Sequence, residues 1–367
     1  MLTKGDEYPL HQTPEPIAFA GAERNFYDRY FFNGSRLDGA DFFAVAFGMY
    51  PNLNVADAHV SVLRGGVQHC LHASRLLGME RMDLAVGPIS IDVIEPLKRL
   101  RVRFDGEGMK GELQCEGRAF PVQEPRFTRR QGPRLMMDVT RFTQAVRWSG
   151  WVEIDGARET YAAASAVGVR DRSWGVRPIG AADPQPVAPP APPQFYWLWA
   201  PTNFPNLSLY AHVNEDEAGA AWNTRCTLAM DGADASGHLH LVDPRFRMSW
   251  RKGARHAQSM VLEVKDPSGR DHRVTWTPVA QFQMKGIGYL HPEWGHGLYK
   301  GALAVAREDF KPAELDPLAP MNLHIQAVCT ARHEGAGQAS EGVGSFEQLV
   351  IGPHAPNGFT GLFDGAA

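Results

Sequence analysis

The chain has little cysteine, and what it has is scattered. Cys70, Cys115, Cys226 and Cys329 share no CxxC spacing, which argues against a zinc ribbon and against a dense disulfide framework. Free buried thiols in a reducing compartment are the expectation. Long apolar runs are missing too. The longest, Phe42 to Tyr50, is far short of a membrane span. The N-terminal residues Met-Leu-Thr-Lys-Gly-Asp-Glu-Tyr-Pro carry no apolar segment of the secretory kind. A cytoplasmic protein without stable membrane insertion is therefore expected. There is no basic surplus, since the formal net charge is −4 and the arginines are scattered among acids, so nucleic acid is not an expected partner. No glycine-rich phosphate loop opens a helix and no G-x-S-x-G elbow occurs, which removes the usual nucleotide-binding and nucleophile-elbow readings.

What is present points to β structure. The 37 glycines and 27 prolines punctuate the chain so densely that few stretches keep a helical period. Hydrophobic content of 44% and charged content of 21% are those of a folded globular chain, and 367 residues exceed one ordinary core, so two domains are expected. Residues 57–64, 89–94 and 99–104 alternate with period two, and 111–119 and 150–156 continue in the same style, the last ending in an Asp-Gly hairpin signal. The second half repeats the rhythm at 195–199, 207–213, 224–230, 238–242, 259–264, 274–278, 299–306 and 321–328. Helix is a candidate only at 140–146, while 67–77 contains helix formers without a clear assignment. Short strands with regular turns predict an all-β protein of two barrel or sandwich domains. The expected division is residues 1–178, a proline-rich linker over 179–194, and 195–367.

Four stretches carry candidate chemistry. Val-Gly-Val-Arg-Asp-Arg-Ser-Trp-Gly-Val-Arg-Pro at 167–178 brackets Trp174 with Arg170, Asp171, Arg172 and Arg177 beside the linker. A charged cluster at a junction marks either a cleft or an Arg/Asp brace between domains. Within Asn25 to Gly34, a strand would put Tyr27, Arg29 and Phe31 on one face and Asp28, Tyr30 and Phe32 on the other. One face then lines a pocket, or both are simply buried. Residues 286–301 present Tyr289, His291, Glu293, Trp294, His296 and Tyr299 on a glycine-punctuated backbone, where Glu293 or His296 becomes a proton donor if a dry pocket shifts its pKa. His69-Cys70-Leu71-His72 and His238-Leu239-His240 look metal-like but lack further ligands at a known spacing, so no metal is expected. Gly342 to Gln348 adds a carboxylate, Glu347, in an expected last strand.

Arg170-Asp171-Arg172-Ser173-Trp174-Gly175 resembles the Asp-His-Ser-Trp-Gly signature of the carotenoid hydratase (hydroxyneurosporene synthase) and AttH-like family. That resemblance implies two lipocalin-like β domains packed side by side, an architecture shared by fungal Diels–Alderases. It also implies acid/base chemistry on an isoprenoid, terpenoid or polyene-like substrate in an inter-domain cleft, without a redox cofactor. In the hydratases a carboxylic acid protonates an alkene and water captures the cation. Taking the resemblance together with the residues read above, Asp171, Trp174, Tyr210, His212, Glu293 and His296 are the candidate catalytic groups. Tyr27, Arg172, Trp294 and Tyr299 become candidate substrate contacts. Trp174, Trp294 and Tyr210 would stabilise a cation through their π faces. Two positions depart from the family: Arg172 stands where the hydratases have His, and His212 where they have Asp. An arginine donates no proton at neutral pH, so hydration, isomerisation and cyclisation all stay open. A non-catalytic protein that binds a small hydrophobic molecule is the alternative.

Overall fold

The computed structural model describes residues 2–9, 23–37, 41–183, 185, 192–335 and 337–367. Most of the proline-rich stretch at 181–193 lies outside them. Among the described residues there is no α-helix, and the regular structure beyond single 3-10 turns is strand. The first thirteen strands are β1 (Phe26–Arg36), β2 (Asp41–Tyr50), β3 (Val55–Arg64), β4 (Val67–Leu76), β5 (Ala85–Val86), β6 (Ile89–Glu95), β7 (Arg99–Gly106), β8 (Met109–Gly117), β9 (Val122–Gln123), β10 (Phe127–Gln131), β11 (Arg134–Ile154), β12 (Ala157–Tyr161) and β13 (Ala166–Val176). The rest are β14 (Phe195–Trp199), β15 (Thr202–Asn203), β16 (Leu207–Glu215), β17 (Ala221–Met230), β18 (Leu239–Trp250), β19 (Ala257–Lys265), β20 (Asp271–Gln283), β21 (Leu303–Phe310), β22 (Ile325–Gly335) and β23 (Gln338–Ile351).

The chain divides into two compact units. The first holds residues 1–117, 123–190 and 285–310, and the second holds 118–122, 191–284 and 311–367. The first is built on one open sheet in the order β21-β4-β3-β2-β1-β13-β11-β8-β7-β6-β5, which curls into a half-barrel. The second, in the order β14-β16-β15-β23-β22-β20-β19-β18-β17, is a closed eight-strand barrel, sealed by the pairings β14–β23 and β16–β17. Its core gathers Trp276, Phe346, Leu262 and Met260. Turn chemistry fixes the first sheet's hairpins. Gly65-Gly66 (φ 58° and 80°) joins β3 to β4, and Asp155-Gly156 (φ 50° and 86°) joins β11 to β12. Both are two-residue turns with positive φ at both positions, whose twist matches that of paired strands.

Two local expectations change. Residues 140–146 are not helical: they lie inside β11, where Phe142, Gln144 and Val146 alternate with Arg141, Thr143 and Ala145 against β13. Tertiary pairing overrides helix propensity there. Residues 67–76 are likewise strand, because the Gly65-Gly66 turn sends them back along β3.

Strand alternation gives β1 and β13 two buried faces. Tyr30 and Phe32 point into the core enclosed by this curled sheet, with Phe47, Val45, Val60 and Leu71. Arg170 and Arg172 pair with Phe32 and Tyr30 in register and so share that inward face. Neither guanidinium is left bare. Arg170 donates to both carboxylate oxygens of Glu7 at 2.7 and 2.8 Å and to Gln144 Oε1 at 2.7 Å. The Leu97 amide completes Glu7 at 2.7 Å. Arg172 binds Asp28 at 2.6 Å, donates to the Arg29 carbonyl at 2.7 Å and lies over the Tyr30 ring at 3.9 Å. The Arg/Asp cluster read from the sequence is, for these two arginines, a brace within the first unit.

Both side chains of the Glu7–Arg170 pair are fully buried, so removing one leaves an uncompensated charge. Arg170→Met is expected to cost about 3–5 kcal/mol in urea unfolding. The double variant Glu7→Leu/Arg170→Met should recover part of that loss, and additive losses would show that the pair is not the source.

Candidate active site

The opposite face of the same strands carries a second set of polar and titratable side chains. Cross-strand register lays them out in rows. Arg29 of β1 sits opposite Gly48 of β2, which faces Asp57 of β3, which faces Ser74 of β4. In the next row Phe31, Ala46, His59 and His72 follow one another. In the third, Asn33, Ala44, Ser61 and Cys70 lead to Glu308 of β21. Small residues on β2 keep the floor low between the polar groups. The segment 285–301 covers this face and adds Tyr289, His291, Trp294 and His296. It comes close because Gly288 (φ 90°) has no side chain: a Cβ there would lie 2.8 Å from His59 Nε2 and 2.7 Å from the His296 ring.

A hydrogen-bonded chain runs through the rows. His291 Nδ1 accepts from the amides of Glu293 (3.0 Å) and Trp294 (2.8 Å), which places its proton on Nε2, facing Glu308 at 3.2 Å. Glu308 also meets His72 Nε2 at 3.4 Å. His72 Nδ1 meets His59 Nδ1 at 2.8 Å. With the His72 proton on Nε2 toward the carboxylate, His59 donates from Nδ1 and presents a bare Nε2. That atom is buried and has no hydrogen-bond partner. Its nearest carboxylate is Asp57 at 3.7 Å, whose oxygens already accept from Tyr50 Oη (3.0 Å) and the Gly297 amide (2.7 Å).

Burial raises the Glu308 carboxyl, but hydrogen bonds from His291 and His72 outweigh it and hold the group ionised well below the usual range. Burial pushes His72 down to about 4, partly countered by its bond to Glu308. Trp294 stacks on the His72 ring, 5.5 Å between centroids and 12° between planes. Cys70 Sγ lies 3.1 Å from Ser61 Oγ, and burial drives its thiol far up, so it is no nucleophile at neutral pH.

The predicted residues divide between this face and other places. His296 is on it, buried, with Nε2 donating to the Ile287 carbonyl at 2.8 Å and Nδ1 accepting from Arg177 at 3.1 Å. Burial, then Arg29 and Arg177, push its pKa far down, so it is a neutral wall and not the proton donor. Glu293 is exposed, with a loose contact to Lys300 at 3.8 Å, and does not lie in a dry pocket. Tyr299 is 65% exposed and touches nothing that would hold a substrate in this face. Tyr27 is buried on the site face under Arg177, 4.5 Å from its ring centre. Asp171 shares that face, in register with Phe31 and Thr143. Arg172 and Trp174 do not, because they alternate to the other side, where Trp174 meets Phe142 edge-on. Sequence reasoning missed Arg29 as a site group, along with Asp57, His59 and Glu308, and it set His72 aside for want of partners.

Tyr210 and His212 belong to the second unit. His212 meets Asn223 at 3.4 Å and tilts against Trp197 at 5.8 Å. On the same strand face Glu347 accepts from His324 (2.8 Å), Gln326 (2.7 Å) and Trp197 Nε1 (3.0 Å). Burial raises this carboxyl and the three donors, His324 first, lower it further. It is an anchored anion with its oxygens already engaged.

Among the described residues, the cluster of His, Cys, Asp and Glu close enough to share a metal ion is Cys70, His72 and Glu308. His291 does not extend it, since its Nε2 carries the proton. The described helical turns include none long and apolar enough to cross a membrane.

A family model matches residues 2–360. The chain belongs to DUF8625, a family of unknown function. A comparison with curated proteins found no match. Solved structures give this DUF8625 member its fold relatives. Kievitone hydratase from Nectria haematococca is 12% identical, with a TM-score of 0.57 over 95% of this chain and 93% of that one. An AttH-like protein from Nitrosomonas europaea is 15% identical, with a TM-score of 0.51 over 93% and 98%. CghA, solved with Sch210972, is 13% identical, with a TM-score of 0.53 over 94% and 97%. These likenesses establish a lipocalin-like all-β fold, and they include the AttH-like proteins that the Arg170–Gly175 hexapeptide suggested.

His72 sets a stability prediction. In the unfolded chain a histidine binds its proton near 6.5, but in the fold His72 binds it only near 4. The unfolded state therefore holds more protons between those values, and stability falls as pH drops from about 6.5 to 4. The His72 share is roughly 3 kcal/mol. Urea midpoints across that window should show a shallower slope for His72→Gln; an unchanged slope would remove His72 as its source.

Proposed function

We propose that this DUF8625 protein is an enzyme that adds water to, removes it from, or rearranges a small, largely apolar molecule by moving a proton. The observation that carries the reading is the chain Glu308–His72–His59 ending in an unpaired basic nitrogen. A half-buried carboxylate that orients one buried imidazole, which in turn orients another, is how a neutral histidine is held as a base. In the hydration sense His59 Nε2 takes a proton from water as its oxygen bonds to carbon. The Nδ1 proton passes to His72 Nδ1, and the His72 Nε2 proton moves toward Glu308. Reversal of the relay returns one proton to the neighbouring carbon, so the alkene π bond is replaced by one C–O and one C–H bond with no net redox change. The faces of Trp294 and Tyr289 supply apolar contact suited to an isoprenoid or polyene-like chain. The name of kievitone hydratase and the presence of Sch210972 on CghA support small-molecule chemistry on this fold. The anchored Glu347 with Trp197, Tyr210 and His212 offers a second polar and aromatic surface of the kind a ligand wall needs.

Mass spectrometry provides the test. A panel of prenylated phenols and polyenes incubated with the protein in H218O and in D2O should yield at least one product carrying the heavy isotope. His59→Gln should lower its rate by about 10²–10⁴-fold with the circular dichroism spectrum unchanged. Full activity in that variant would sink the base assignment, and bound but unaltered panel compounds would favour a binding protein.

A further inference from the structure

The first unit buries several arginines, and with one exception among those on β1 and β13 each is met by a carboxylate. Arg170 has Glu7 and Arg172 has Asp28. Arg29 is the exception. It is 1% exposed, and its Nε, Nη1 and Nη2 have no hydrogen-bond partner. Its described contact is the ring of Tyr289, 4.4 Å from the guanidinium carbon. Asp28, next in the chain, points to the other face and is held by Arg172. Asp57, in the same row, is engaged by Tyr50 and Gly297.

A guanidinium cannot discard its proton to escape burial, and an unpaired buried charge costs several kcal/mol. A cation–π contact offsets only about 0.5–2 kcal/mol of that. The fold therefore keeps a cation with five unused N–H donors at a place where stability alone would favour methionine or leucine. Other orphan groups gather at the same place. The Tyr289 ring that covers Arg29 is 5.5 Å from the Arg177 guanidinium carbon and 4.6 Å from the His296 ring. Arg177 Nε is unpartnered, and His59, whose Nε2 is bare, lies 5.9 Å from His296 ring to ring.

We infer that Arg29 is the binding group for a planar, delocalised oxyanion on the substrate, a carboxylate or a 1,3-dicarbonyl enolate. Two oxygens in one plane match the fork of the guanidinium. A conjugated oxyanion held there also withdraws or receives electron density at a carbon–carbon double bond near His59. The inference rests on the proposed proton-transfer site for that second role, but the binding itself is independent of turnover.

Cinnamate and its neutral isostere cinnamamide are the probes, measured by calorimetry and thermal shift on the full chain. Wild-type protein is expected to bind cinnamate at least about tenfold tighter than cinnamamide, the size of one charge-assisted pair. Arg29→Met should erase that preference and raise the melting temperature of the ligand-free protein, since it removes an unpaired charge. Arg29→Lys, which keeps the charge without the fork, should retain only part of the preference. His59→Gln should keep the preference while losing turnover. Equal binding of acid and amide by the wild type, no saturable cinnamate binding at millimolar concentration, or an Arg29→Met variant that keeps the preference or melts lower would each overturn the inference. Retained turnover in His59→Gln would instead overturn the proton-transfer reading and leave the anion site standing.

Discussion

Period-two alternation on strands that are buried on both sides is the constraint from which the rest follows. A strand with one wet face can send its polar residues to water. β1 and β13 have almost no such outlet, so their buried charges are met inside the protein or, at Arg29, left without a carboxylate. The inward set is met by Glu7, Asp28 and backbone carbonyls. The outward set meets histidines, a tyrosine ring and a low floor of glycine and alanine. The same geometric rule thus separates a brace from a reactive surface across a single layer of backbone.

Register then converts that separation into a site. His59, His72 and Glu308 come from three strands, and they meet because antiparallel pairing aligns them in neighbouring rows. A shift of one residue in any of these ladders would send its histidine or carboxylate into the core of the curled sheet. The hairpin turn at Gly65-Gly66 consequently matters to the candidate site as much as to the fold. It fixes how β3 and β4 align, and so it sets the His59–His72 contact.

The all-β class, most strands, and the division of Tyr27, Arg29 and Phe31 from Asp28, Tyr30 and Phe32 were legible because alternation and turn residues are local signals. The site was legible only in fragments. The stretch 286–301 stood out by composition, yet its useful members are Tyr289, His291, Trp294 and His296, while Glu293 and Tyr299 face solvent. His72 stood out beside Cys70, but its carboxylate partner lies 236 positions later, and no local pattern announces a pairing at that distance. The hexapeptide Arg170–Gly175 drew attention to the right strand for a different reason. Its arginines secure the first unit's curled sheet, and Trp174, which read as a candidate catalytic group, shares their face.

The excursion of residues 285–310 back to the first unit has a consequence for synthesis. β21 is the terminal strand of that sheet and pairs with β4 along its length. During translation, β4 and its row of unpaired amides and carbonyls emerge some two hundred residues before the strand that covers them. For that interval the nascent sheet carries an open ten-residue edge, the kind of surface that recruits foreign strands. The side chains that edge exposes include Cys70 and His72. The early part of the chain must therefore wait, or be chaperoned, until its own late segment returns to seal it.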